Sequence, residues 1–387
     1  MDPIDRRLIL TGAGIAGLAS TLGSELFAQT AAQGNAVATE SAPVGPVAQA
    51  KYRVPFAVIG LDHAHIYSIT DAVIRGGGVL TGFYAADPEQ IATFRKRYGD
   101  VKLARSEAEI LEDKSIKLVA GAPIPDLRAP LGIRVMQAGK DYLSDKPAIT
   151  SLQQLADVRR AIKATGRKFA IMYSERLEVP AAVAAGQLVD QGAIGKVVQT
   201  INIAPHRVSA PTRPAWFWDK ARYGGILTDI GSHQADQFVY FTKSTRAHVV
   251  ASQTGNFTYP QHPHFEDFGD MTLTGNGGTG YVRVDWFTPD GLPTWGDGRL
   301  FLLGTEGYIE LRKYVDIAGR PGGNHLFLCD KKGMRYLDCG KTFLPFGPQF
   351  VTDIIERTST AQDQDGALLA AELVLTAQKN ATRPIAA

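Results

Sequence analysis

VPFAVIGLDHAHIYSITDAVIRGGGVLTGFYAAD, residues 54–87, reads as strand, helix and second strand in one pass. VPFAVIGL, residues 54–61, is a continuous apolar run ending in glycine, the pattern of a strand buried on both faces. The segment from His65 to Arg75 follows as a helix, and 79–86 is again a strand. Downstream the unit repeats. PEQIATFRKRYG, 88–99, opens with proline and closes with glycine, as helices do. IKLVAGAP, DYLSDKP and KFAIMYS supply three more strands, each reached through a helical stretch. Strands alternating with helices imply a parallel sheet with helices on both faces, so a doubly wound α/β domain of Rossmann type is expected over 51–173.

After Ser174 the period changes. KVVQTINIAPH, HVVASQTGNF, DMTLTG, TGYVRVDWF, RLFLLGT, GYIELRK, HLFLCD and MRYLDCG alternate apolar and polar residues. That predicts a C-terminal α+β domain, 174–387, built on a large open, mostly antiparallel sheet with one buried face. Helices are expected near 180–191, 232–241, 347–358 and 365–379. Residues 1–50 carry no core-forming period. Arg6 and Arg7 precede a short, glycine-rich apolar run, and an Ala/Gln/Gly/Pro-rich stretch follows. They read as a twin-arginine export signal with a flexible linker, which places the protein in the periplasm or otherwise outside the cytoplasm. GAGIAG at 12–17 matches a dinucleotide fingerprint by spelling alone, because no strand precedes it. A net charge of +2 with no basic run argues against nucleic acid and membrane partners. Cys329 and Cys339, ten apart, could pair across two strands of a hairpin in an exported protein; the favoured reading is two unpaired thiols in a β region.

Two segments carry chemistry. In GGILTDIGSHQAD, 224–236, Asp229 and His233 stand four apart, a spacing that stacks them on one helical face where they can share a proton. In SDKPAIT, 144–150, Lys146 precedes a proline that bars it from the helical region. The proline thus holds the lysine at the carboxyl edge of a strand. The bland alternatives are a helix cap, a core histidine and a surface lysine.

Together these motifs resemble the Gfo/Idh/MocA family (glucose-fructose oxidoreductase, inositol 2-dehydrogenase), from about residue 53 onward. Asp145, Lys146 and Pro147 match its Glu-Lys-Pro triplet, and 224–233 match its GG-x-L-x-D-x-G-x-H segment. The resemblance implies a sugar or polyol oxidoreductase with tightly bound NADP or NAD. Its catalytic residues would be Lys146, Asp229 and His233, with His233 as general base, Asp229 orienting it and Lys146 polarising the reacting oxygen. It also implies a homodimer or homotetramer formed through the open sheet. Cofactor contacts are expected from Gly60, Leu61, Asp62, His63, His65, Asp87, Pro123, Asp145 and Lys146. Of the glycine fingerprint only Gly60 is present, Asp62 puts a carboxylate in the phosphate region, and the acid expected near Ala85 stands at Asp87. Substrate contacts are expected from Arg176, His206, Trp218, Asp229 and His233, in a carbohydrate pocket that also draws on Arg213 and Trp216. No metal site is expected, the His/Asp-rich segment 262–270 being read as a polar loop capping the cleft. An exported enzyme with a captive cofactor points to ping-pong exchange between two sugars. Two alternatives stand beside this reading: a glycosidase using transient NAD oxidation, and a sugar-binding protein that has lost its cofactor.

Overall fold

The computed structural model describes residues 37–47 and 49–383. The Arg6–Arg7 pair, the apolar run behind it and GAGIAG lie outside the described residues. Thr39–Ala387 is one compact unit. Its first strand, β1 (Ala38–Ser41), falls inside the segment expected to be linker. Ala42 donates its N–H to Asp338 O at 2.8 Å and is buried against the second sheet, and Phe343 N–H reaches Val44 O at 3.0 Å. The domain boundary expected at residue 50 is therefore too late. TESAPV lacks a strand period because its register is imposed by the open edge it covers.

The first sheet is formed by β2 (Val54–Ile59), β3 (Gly78–Tyr84), β4 (Leu118–Gly121), β5 (Asp141–Asp145) and β6 (Phe169–Met172). They run parallel in the order β3-β2-β4-β5-β6. From β2 the chain first winds outward to β3, then crosses to β4 on the other side. The carboxyl ends of β2 and β4 thus flank a topological switch point, where such sheets open a crevice. The helix His65–Arg75 buries Ile66, Ile69, Ala72 and Val73. A C-terminal helix, Phe346–Glu356, packs on it so tightly that a Cβ on Gly347 would lie 2.1 Å from Ala72 O.

The second sheet has nine strands. It adds β7 (Val197–Pro205), β8 (Ala247–Gly255), β9 (Phe268–Gly275), β10 (Thr279–Asp285), β11 (Arg299–Gly304), β12 (Gly307–Arg312), β13 (His325–Asp330) and β14 (Gly333–Asp338). The order is β1-β14-β13-β12-β11-β7-β10-β9-β8, antiparallel between registered neighbours apart from the parallel pair β7 and β10. One face is buried: Gly280, Val282 and Val284 alternate with half-exposed Tyr281 and Arg283, and the helix Gly231–Thr242 lies against it. The α/β and antiparallel expectations hold. The C-terminal segment also returns to the first sheet. Gln364 and Gln362 accept from the backbone N–H groups of Phe169 (2.8 Å) and Ile171 (3.1 Å), covering the free edge of β6. Both cysteines are free thiols. Among the described residues no helix is long and apolar enough to cross a membrane.

Candidate active site

The switch-point crevice is about 320 Å³ and is lined in part by Gly60, Leu61, Asp62, Ala85, Asp87 and Pro123. Gly60 has φ +81°, and a Cβ there would sit 2.8 Å from Pro123 Cβ, so only glycine lets these two loops meet. The helix His65–Arg75 starts beside this loop without a side-chain cap, although the Ile66 and Tyr67 amides already reach His63 O and Ala64 O at 3.1 and 3.3 Å. Asp87 caps the next helix, accepting from Glu89 N at 2.8 Å and Gln90 N at 2.9 Å, while one carboxylate oxygen remains uncommitted. Burial raises the Asp62 carboxyl above its ordinary pKa. The residues present therefore fit a dinucleotide, with Gly60, Leu61 and Pro123 as the cradle and Asp87 at the ribose edge.

Asp145 and the two histidines are bonded to one another. Asp145 ends β5 fully buried. It accepts His63 Nδ1–H at 2.7 Å, His65 Nδ1–H at 3.0 Å, Arg128 Nη2–H at 3.0 Å and Lys146 N–H at 2.7 Å. Burial opposes its ionisation, but Arg128 and the two histidines hold the carboxyl well below the usual range. Desolvation and His65 push His63 down to about 4 despite Asp145, so the His63 ring is tied to the carboxylate as a neutral donor. Asp145 is thus an anchor for the loop that carries His63 and His65. The three groups lie within 4.8 Å of one another. Arg128, itself fully buried, occupies the same carboxylate and opposes a cation there.

Behind this anchor lies a cavity of about 240 Å³. Lys146 enters from the end of β5, ahead of a cis bond to Pro147. Its Nζ donates to Asp229 Oδ1 at 2.9 Å and Asp229 O at 3.3 Å. Asp229 ends the short helix Ile226–Asp229, and His233 lies in the first turn of the next. Burial acts against the Asp229 charge, Lys146 outweighs it, and the carboxyl ends below its ordinary pKa. His233 is buried, its Nδ1 has no hydrogen-bond partner, and burial with nearby Lys146 and Lys313 holds it neutral. Opposite stands Glu175, which accepts Gln234 Nε2–H at 2.7 Å and Lys313 Nζ–H at 3.4 Å. Burial would raise it, but Lys313, His233 and His206 bring it to about 2. His206 donates Nδ1–H to Ala204 O at 3.0 Å and meets the rings of Trp295 (4.4 Å) and Trp286 (5.5 Å) edge-on. A neutral imidazole, a paired lysine and aromatic walls in one small cavity can take a proton from a hydroxyl while holding its oxygen.

Residues 54–173 match a family model described as "Oxidoreductase family, NAD-binding Rossmann fold", and 182–310 match "GFO/IDH/MocA C-terminal domain". The crystal structure of a protein from Erwinia carotovora atroseptica SCRI1043 is 47% identical, with TM-score 0.83, covering 86% of this chain and 99% of that one. The chain belongs to the Gfo/Idh/MocA family of oxidoreductases. A scyllo-inositol 2-dehydrogenase (NAD(+)) of Bacillus subtilis (strain 168) is 27% identical over 67% of this chain and 74% of its own. A D-xylose dehydrogenase of Paenarthrobacter nicotinovorans matches at 26% over 32% of this chain, which spans only 33% of that relative. A levoglucosan dehydrogenase in complex with NADH and levoglucosan shares the fold at 20% identity and TM-score 0.68, over 85% of this chain and 98% of its own.

Four expectations need correction. Asp229 does not orient His233; its carboxylate is taken by Lys146, whose charge makes the stronger hydrogen bond. Arg176 points out of the cavity, paired with Asp236 at 2.6 and 2.9 Å beneath Tyr240, because its neighbour Glu175 takes the inward position. Trp218 stacks 4.0 Å from His262 and packs on Phe265, while Trp216 turns to the cavity from the same 3-10 turn. The 262–270 loop is structural rather than a lid. Glu266 accepts Ile226 N–H at 3.0 Å, fixing the helix that carries Asp229, and Asp267 caps the Phe257–Thr258 turn. Arg128 and Lys313 also line the cavity, and no sequence motif marks either. Trp286 and Trp295 come from the aromatic loop 285–299, whose length and composition were the available signal.

Proposed function

We propose that this protein oxidises a hydroxyl of a small sugar or polyol to a carbonyl, with a nicotinamide dinucleotide seated in the switch-point crevice. The single observation that carries the reading is Lys146 Nζ held 2.9 Å from Asp229 in the cavity shared with neutral His233. The dinucleotide, when bound, supplies the hydride acceptor. His233 takes the hydroxyl proton, because its depressed pKa keeps the imidazole free to accept. Lys146 donates to the reacting oxygen, and Asp229 keeps the lysine aimed. Trp216, Trp286 and Trp295 give flat faces for the C–H surfaces of a sugar and exclude water. The names of the xylose, inositol and levoglucosan dehydrogenases support a carbohydrate substrate.

NAD suits the crevice better than NADP, since Asp87 faces the ribose edge and Arg134 is engaged by Glu107 at 2.6 and 3.1 Å. The outer face of the nine-stranded sheet shows Leu303, 38% exposed, and Met334, 46% exposed, beside the stacked Phe301–Tyr308 pair. This face is our candidate for self-association into a dimer or tetramer. The Arg6–Arg7 pair supports export of the folded protein, with a tightly held cofactor recycled by a second sugar in ping-pong fashion. Mass analysis of what the purified protein releases on denaturation tests the core of this reading, together with turnover of aldoses and polyols. Released or tightly binding dinucleotide is expected, and His233→Ala should lower kcat about 10²- to 10⁴-fold. Absence of any dinucleotide binding at millimolar concentration would sink it.

A further inference from the structure

We infer that the substrate of this cavity is a sugar acid, a polyhydroxylated monocarboxylate, and that Arg213 is the residue that binds its carboxylate. The inference rests on the oxidoreductase reading above and deepens it. Four cationic side chains line the cavity: Arg128, Lys146, Arg213 and Lys313. Three of them have a carboxylate of their own. Arg128 pairs with Asp145 at 3.0 Å, Lys146 with Asp229 at 2.9 Å and Lys313 with Glu175 at 3.4 Å. Among the described residues Arg213 has no such partner. Its Nε donates to Val208 O at 2.6 Å and one Nη to Arg207 O at 3.2 Å, both neutral carbonyls.

The guanidinium is nonetheless held in place. Its Cζ lies over the Phe217 ring at 4.3 Å and the Trp286 ring at 5.0 Å, and burial lowers its pKa against the pull of Asp229, a carboxylate that Lys146 already engages. A partly desolvated charge without a counter-ion costs free energy that a bound anion recovers. Aromatic stacking fixes the fork geometry that carboxylates accept in pairs. The cavity therefore carries one positive charge without a carboxylate of its own.

Size and charge narrow the class. A cavity of about 240 Å³ lies below the usual 300–1,000 Å³ of drug-sized ligand sites and confines the occupant to one monosaccharide-sized molecule. A carboxylate brings one negative charge, matching the one unpaired guanidinium. A phosphate monoester brings about −1.5 to −2 and would have to be met by cations already committed. The redox step is unchanged: the alcohol carbon gives up its hydride, His233 takes the hydroxyl proton, and the carboxylate on Arg213 is a spectator that sets which carbon faces the base.

The test is calorimetric titration of D-gluconate, D-galactonate, D-glucuronate and D-galacturonate against D-glucose, D-galactose and myo-inositol, into the purified protein with and without NADH. At least one acid should bind more than about tenfold tighter than its neutral counterpart. In Arg213→Met that preference should fall about 10- to 100-fold, the range of a charge-assisted hydrogen bond. Arg213→Lys keeps the charge without the planar fork and should retain an intermediate preference, which also guards against a misfolded methionine variant. Neutral sugars binding as well as acids, no acid binding at all, or an acid preference untouched in both variants overturns the inference. Failure of the two readings is separable. An Arg213-dependent acid preference without NADH binding would remove the oxidoreductase and keep the anion site, whereas turnover of neutral sugars alone would do the reverse.

Discussion

Acidification should destabilise this protein well above the range where its carboxylates titrate, and His206 supplies a measurable share. The ring is 7% exposed, and burial lowers its pKa from 6.5 to about 4, against the pull of Glu175 and with help from Lys146 and Lys313. A histidine with a depressed folded pKa binds protons more tightly when unfolded. Its contribution is complete above about pH 6.5 and is lost as pH falls toward about 4. The full gap corresponds to about 3 kcal/mol, of which about 2.5 kcal/mol is spent by about pH 4.5. His63 and His233 have the same sign, whereas Glu175, held at about 2, enters only at lower pH. The wild type and His206→Gln are compared by urea unfolding at about pH 8 and about pH 4.5. Glutamine keeps a donor for Ala204 O but has no proton to gain. The variant should lose about 2.5 kcal/mol less than the wild type on acidification. Parallel pH profiles for the two proteins would show that His206 is not held neutral by its surroundings, and the charge pattern drawn for the cavity would fall with it.

Gly60→Ala combines φ +81° with a Cβ 2.8 Å from Pro123 Cβ, so thermal stability should drop by about 1–3 kcal/mol and dinucleotide affinity by tenfold or more, read by calorimetry. Lys146→Met strands the Asp229 carboxylate and removes the donor to the reacting oxygen; kcat should fall about 10²- to 10⁴-fold with the fold intact by circular dichroism. Truncation after residue 47 should lower the melting temperature by several degrees and promote aggregation through the bared edge of β14, while truncation after residue 36 should not. Equal melting curves for the two truncations would make β1 dispensable.

What could be read from the sequence was what is local. The run 54–61 announced a strand buried on both faces, and a helix was placed at about 65–75, because burial and period are properties of consecutive residues. Lys146 before Pro147, and Asp229 four before His233, marked the right groups for the same reason. Their partners were not legible. Lys146 and Asp229 are 83 residues apart, and Asp145 gathers donors from the His63–His65 loop, the helix Pro125–Gln137 and its own chain neighbour. The i, i+4 rule said that Asp229 and His233 were near enough to bond. It could not say that a lysine from another element would arrive and, being charged, displace a neutral imidazole as the preferred donor. Glu175 against Arg176, and Trp216 against Trp218, failed in a second way. Both pairs sit in single short turns, too brief for a hydrophobic period to set which member faces inward. Arg213 shows the consequence for function. Its motif is unremarkable, and only after every carboxylate in the cavity has been assigned to another cation does it stand out as the one charge left for a ligand to answer.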